Sequence, residues 1–260
     1  MGRIHLDAEL AEEYQQLFQN CQILPAHTRE IDQLISDIIT DRLRYEAVGQ
    51  PLGIPWQVIA AVHYAATERN FEVHPHNGDP LTGRTVHEPD GHPQHGEPPF
   101  SWEQSATDYL RLLGFDKWDD WSLAGTLYKL EGLGGWAYRL HLPKRHSPYL
   151  WCGSQHYQGG KFVTDELWSD DASYAQYGAA VLLRRLAEQD LIRFDEHPAA
   201  PLVRYSATAK STPQACVLQE FLNQLGGVYL RVDGWAGPRT SAAVRVLTGH
   251  YLAGDPRETV

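Results

Sequence analysis

Glu68 is the residue whose type and placement best suit chemistry. The run before it, from Trp56 to Thr67, holds Val58, Ile59, Val62, Ala65 and Ala66. That composition reads as a helix buried on most sides. Glu68 closes the run just where the chain leaves for a polar loop. At such a border a glutamate is expected to sit half out of water. Desolvation and the negative end of the helix dipole then both raise its pKa. A carboxylic acid kept protonated near neutral pH is a general acid, the group that glycoside cleavage needs. The competing reading is a surface glutamate paired with Arg69 or another arginine.

Aromatic residues form a second set. Tyr128, Trp136, Tyr138, Tyr149, Trp151 and Tyr157 fall in two glycine-bounded segments. Their π faces suit the axial C–H faces of sugar rings. Tyr128, Tyr149, Trp151 and Tyr157 are the candidate substrate-binding residues, led by Tyr149 and Trp151, between Pro148 and Gly153 in an expected loop. Glu131 is a lesser catalytic candidate. The histidines His74, His76, His87, His92 and His95, beside Asp79, Glu88 and Asp90, raise the question of a metal. No HExxH is present, and the expectation is a solvated loop with no metal and no cofactor. Neither a Gly-x-Ser-x-Gly elbow nor a P-loop occurs.

The elements that must position these groups read as mainly helical. Residues 8–20 form a polar helix. Thr28 is placed to cap a second, with Ile31, Leu34, Ile35, Ile38 and Ile39 on one face. Gly49 to Pro55 breaks the chain ahead of the helix that ends at Glu68. Residues 74–99, rich in His, Pro, Gly and Asp, form a long loop or small hairpin, and loops of that length are usually functional or disordered. Ser101-Trp102-Glu103-Gln104 is a capping box whose helix Gly114 ends. Further helices are expected at 119–131 and 172–189.

Near the end, Leu218, Leu222 and Leu225 make one helical stripe. Asp233-Gly234 is a turn signal, and Pro238 suits the first turn of a following helix. The span from Val217 to Val244 resembles the three-helix peptidoglycan-binding module appended to many bacterial cell-wall hydrolases. The helix ending in Glu68, followed by Asn70-Phe71, is similar to the catalytic helix of the lysozyme superfamily, including goose-type lysozymes and lytic transglycosylases. Arg69 stands where those enzymes usually have Ser. The segments HNGDPLTGRTVH (76–87), PPFSWEQSA (98–106), KLEGLGGWAYR (129–139) and SPYLWCGSQHYQGGKFV (147–163) resemble bacterial and phage peptidoglycan hydrolases of the lysozyme-like fold.

The resemblance implies an α+β lysozyme-like catalytic domain over 45–195, after an N-terminal helical extension (1–44). A linker (196–213) and a three-helix peptidoglycan-binding domain (214–260) follow. It implies cleavage of the β-1,4 bond between N-acetylmuramic acid and N-acetylglucosamine, with Glu68 as general acid. Asp79 is the matching second carboxylate, set on the rigid Gly78-Asp79-Pro80 turn. As a base it would stand roughly 6.5–9.5 Å from Glu68. As an Asx-turn former it would have no catalytic part. Without such a base, the sugar's own N-acetyl oxygen would be the nucleophile. Hydrolysis and lytic transglycosylation stay open, as do chitin as substrate, a zinc peptidase or amidase, and a non-catalytic wall-binding protein.

Composition narrows the partners. The formal net charge is -11, and residues 213–260 hold four Arg against four Asp and Glu. The acidity therefore belongs to the larger part, which argues against nucleic acid. Three well-separated cysteines, Cys21, Cys152 and Cys216, make no disulfide framework. No apolar run approaches the ~20 residues of a membrane span. The N-terminus carries no apolar signal region, so synthesis in the cytoplasm is expected, with action on the cell wall after release or non-classical export.

Overall fold

The computed structural model describes residues 4–164, 167–194, 203–225 and 227–257. The chain divides into two units, residues 1–195 and 196–260. Both are mainly helical; the one sheet of the described residues pairs β1 (Lys161–Phe162) with β2 (Trp168–Ser169), antiparallel.

Unit one begins with α1 (Ala8–Gln19), α2 (Thr28–Thr40) and α3 (Arg42–Leu52). Tyr14 and Phe18 of α1 and Ile31, Ile35 and Ile38 of α2 are buried in the same core as Val58, Ile59 and Val62 of α4 (Trp56–Thr67). The segment read as an N-terminal extension is thus part of this unit's core. Thr28 does not cap α2: His27 is the N-cap residue, and the Thr28 hydroxyl reaches back to Leu24 O instead. The expected break at Gly49–Pro55 is narrower in the structure. Helix α3 continues through Gly49 and Pro51 and ends at Gly53 in the left-handed conformation. Gly49 is needed there because a Cβ would stand 2.3 Å from Ile54 O.

Residues 68–101 form the expected long loop, with one isolated bridge from Val73 to Pro80. The Ser101–Gln104 capping box then starts α5 (Trp102–Leu112), and Gly114 turns the chain with φ 66°. α6 (Leu123–Gly134), α7 (Ala137–His141), α8 (Pro148–Trp151) and α9 (Ala179–Glu188) complete the unit. Helix α9 is shorter than the 172–189 expected. Gly178 precedes it in extended conformation against Leu150, where a Cβ would lie 2.2 Å from backbone atoms. Tyr174 and Tyr177 consequently lie outside the helix.

Unit two holds two helices among the described residues, α10 (Pro213–Gln224) and α11 (Pro238–Thr248), where three were expected. Of the 196–213 linker, residues 196–202 lie outside the described residues. Val203 and Tyr205 pack on this unit's small core, and Ser211 bridges to Trp235. The buried face of α10 is Ala215, Gln219 and Leu222, whereas Leu225, read as the end of the stripe, is exposed. Gln219 is the hub. The two N–H donors of its amide are shared among Asp233 Oδ1, Trp235 O and Thr240 Oγ1, and its oxygen accepts from the N–H groups of Asp233 and Gly234. One buried side chain thereby ties the Asp-Gly turn to both helices.

Candidate functional site

The helix α4 is buried along most of its length, as its composition predicts. Its end is unusual. Glu68 occupies the C-cap with φ 51°, and Arg69 follows with φ 65°. Glycine is the usual residue for a left-handed helix end, and an L-residue there costs about 1–2 kcal/mol. Among the described residues only one other non-glycine, Asp190, has positive φ. The backbone is held in this shape by Glu68 N–H to Tyr64 O (2.9 Å) and Asn70 N–H to Thr67 O (2.9 Å).

Side chains lock the same turn from both sides. Arg69 does not pair with Glu68. It reaches Asp41 at 2.6 Å and Asp37 at 3.3 Å, at the junction of α2 and α3. Buried His63 bonds Tyr45 through Nδ1 (3.3 Å) and Asn70 O through Nε2 (3.2 Å). Burial pushes the His63 imidazole down to about 4, so it is neutral at pH 7. Phe71 closes the arrangement against His63, Tyr45 and Trp102.

The Glu68 side chain itself is exposed. The expected carboxyl half withdrawn from water is not what the structure has, because the left-handed turn carries the side chain outward from the helix. Gln176 Nε2 donates to its Oε1 at 3.4 Å. Tyr64 is beside it: burial, with the Glu68 charge among the lesser causes, raises that phenol, whose oxygen accepts from Tyr177 N–H.

Asp79 is in a different situation. Its Oδ2 accepts from the N–H groups of Val86 (2.7 Å) and His87 (3.0 Å), and its Oδ1 meets His87 Nδ1 at 2.6 Å. The bonds from His87 and Val86 hold this buried carboxyl well below the usual carboxylate range. Asp79 is thus the peg of the 79–87 loop, with its acceptor capacity taken up and little basicity left for a water. The Asx turn is made by Asn77, whose Oδ1 accepts from Asp79 N–H. That bonding weighs against a general base at this position. Glu131 is also structural. It is buried between Tyr14 and Arg139, and burial raises its carboxyl despite the arginine.

The four aromatic candidates separate. Trp151 is 1% exposed and belongs to the core, so it has no face to offer a sugar. The loop expected around it is the short helix α8, which turns it inward. Tyr157 donates to Gly160 O and accepts from Tyr174 N–H, fixing its own loop. Tyr149 packs where Gly134 lacks a side chain, and its hydroxyl is buried without a partner. Burial, then the Tyr109 and Tyr174 phenols, push it well above its ordinary range. Tyr128 bonds Ile4 O and lies between Trp118 and Trp136, lining a cavity to which α4 and the 68–101 loop contribute nothing.

His74, His76 and His92 are engaged rather than solvated, whereas His87 and His95 are exposed. His74 bonds Ser105 Oγ (2.6 Å) and Gly83 O (2.8 Å). His76 and His92 share Asp108 Oδ2, at 3.1 Å and 2.6 Å. Burial lowers His76 to about 4. These three side chains are the one group among the described residues able to offer three donors to a metal ion.

In unit two, a cavity of about 390 Å³ opens between Gln219, the 229–233 loop and the start of α11. Tyr229, Arg231, Asp233, Trp235 and Arg239 line it. In comparisons with family models, with curated proteins and with solved structures, no match to this chain is found.

Sequence reading passed over Arg69 as a clamp, Gln176 as the partner of Glu68, and Gln219 as a hub. Only Arg69 carried a local signal, as a charged residue directly after an apolar helix. Its acidic partners on α2 and α3 are about thirty residues upstream.

Proposed function

We propose that the protein is a peptidoglycan-degrading glycosidase that cleaves the β-1,4 bond between N-acetylmuramic acid and N-acetylglucosamine. Glu68 is its general acid, in a lysozyme-like catalytic unit, and unit two holds the enzyme on the wall. The observation that carries this reading is the cap itself. A glutamate is kept at a left-handed helix end, clamped through Arg69 and its own N–H, with its exposed carboxyl open to an outside partner. Strain of that kind persists where surrounding structure over-determines it, and it concentrates at functional sites.

Water covers Glu68 in the free protein. A bound glycan strand would displace that water and bring the bridging oxygen against the carboxyl. Gln176 would orient the carboxyl by donating to one oxygen. With Asp79 committed to its loop, activation of a water by that residue has no support. The N-acetyl oxygen or the 6-hydroxyl of the sugar is then the better internal nucleophile. In unit two, the cavity beside α11 combines two guanidinium groups with two aromatic rings, which suits the anionic, amide-rich peptide stems of a wall.

The test is digestion of purified sacculi followed by mass spectrometry. Muramic reducing ends identify hydrolysis; anhydro-muramic ends identify intramolecular attack. Intact glycan after prolonged incubation would end the proposal. The cluster of His76, His92 and Asp108 favours a second reading, a metal-dependent peptidase. Its closest donors are only 2.6 Å apart, a hydrogen-bond separation that an ion would have to spread. Loss of activity in EDTA, with new amino groups and no new glycan ends, would select it.

A further inference from the structure

A second sugar site follows from the rings around Tyr128. Trp118 and Tyr128 are stacked with centroids 5.5 Å apart and planes at 28°. Tyr128 and Trp136 continue the stack at 5.1 Å and 37°. All three are half-buried, so the stack has an open side. It adjoins a cavity of about 280 Å³, floored by Leu113 and Leu133.

The cavity is built. Gly135, with φ 86°, turns the chain after α6 so that Trp136 lies back along the helix. Gly132 makes room, since a Cβ there would stand 3.1 Å from the indole. Lys129 is drawn in from the next turn. Its ammonium donates to the carbonyls of Leu113 and Gly114 at 3.3 and 3.1 Å and lies 4.7 Å from the centroid of Phe115. Two of its three N–H donors are thereby used, leaving one. An apolar protein segment would leave the third ammonium donor unsatisfied. A pyranose would meet it with a hydroxyl or amide oxygen while its C–H face covers the indole.

We infer that Trp136, Tyr128 and Lys129 form an accessory binding site for one N-acetylhexosamine ring of a β-1,4 glycan strand, separate from the site at Glu68. The choice of polymer rests on the proposed function. The binding itself does not require Glu68 to be catalytic. The site would hold a neighbouring stretch of strand on unit one while the Glu68 cap works elsewhere along it.

The experiment uses the full chain carrying Glu68→Gln, titrated with the tetramer of β-1,4-linked N-acetylglucosamine, with the tryptophan indole N–H resonances and intrinsic fluorescence as readouts. The indole signals of Trp136 and Trp118 are expected to move together along one saturable curve. Trp136→Ala should weaken that curve about tenfold, and Trp136→Phe, which keeps a ring, by less. With Glu68 restored, both variants should cleave short soluble fragments as well as the parent and intact sacculi more slowly. Indole signals that ignore the tetramer, or a Trp136→Ala protein that is folded by circular dichroism and binds unchanged, would overturn the site. A protein that binds as described yet cleaves no glycan would leave the accessory site standing and remove only the enzymatic reading. Should Trp136→Ala not fold, Lys129→Met tests the polar half through the same titration and must weaken it.

Discussion

Asp79 and Glu68 stand eleven positions apart, Glu68 at the end of α4 and Asp79 within the loop that follows, and the fold treats their carboxylates in opposite ways. Asp79 turns inward and accepts three bonds from Val86 and His87. Its charge is consumed by the loop it organises. Glu68 turns outward on a strained cap and accepts one long bond from Gln176. The surrounding groups hold the backbone of Glu68 and engage its carboxyl by that one bond. A carboxylate that its own fold does not need is available to a ligand, and one that the loop depends on is not.

Exchanging each carboxyl for an amide gives the sharpest break in this comparison. Glu68→Gln should retain its denaturation midpoint and lose about 10³-fold in turnover of sacculi, because general acid catalysis contributes 10²–10⁴. Asp79→Asn should do the reverse in kind, opening the 79–97 loop to limited proteolysis, since an amide nitrogen cannot accept from those N–H groups. A Glu68→Gln enzyme that keeps full turnover removes the distinction.

Next in size is the response to acid of the scaffold behind the cap. His63 has an unfolded value near 6.5 and a folded value near 4, so the native state resists its protonation. The corresponding stability is complete above pH 6.5 and is lost as pH falls toward 4. Urea unfolding at pH 4.5 should show about 2–3 kcal/mol less stability from this group than at pH 7. His63→Gln, which keeps hydrogen bonding without titrating, should shrink that difference. His76, lowered to about 4 by burial, adds to the loss in the same direction. A pH-independent midpoint across this window would contradict the burial argument.

Unit two offers a contrast of its own. Gln219→Ala removes the two donors and the acceptor of a buried hub and should destabilise that unit by about 2 kcal/mol or more. Retention on sacculi should fall while turnover of soluble fragments holds. Loss of both together would mean that the units are not divided in function as proposed.

The smallest effect is the most diagnostic of the cap. Glu68→Gly relieves a left-handed L-residue and should raise stability by about 1 kcal/mol while abolishing turnover. A gain in midpoint together with lost activity is the signature of strain kept for function. A lower midpoint would show that the cap is not strained.

Much of this arrangement is legible from local pattern. The apolar helix ending at Glu68, the capping box at Ser101 and the Asp-Gly turn at 233–234 depend on neighbours a few residues away, and each appears where its residues place it. The aromatic candidates were less legible. Trp151 and Tyr149 look alike in sequence, two residues apart beside a proline, yet one is core and the other has an unpartnered hydroxyl. The direction of a turn of helix decides that, and α8 is too short to have a readable period.

By itself the sequence determined the mainly helical character, the position of Glu68 at a helix end, and the boundaries of α1, α4 and α5, because hydrogen-bonded turns and caps are short-range. Only the tertiary structure decided that Asp79 is a peg, that Arg69 clamps to α2 and α3, and that Tyr128 belongs to a different cavity from Glu68. Each of those facts depends on which distant donors meet a side chain, and local spacing carries no record of where the chain returns.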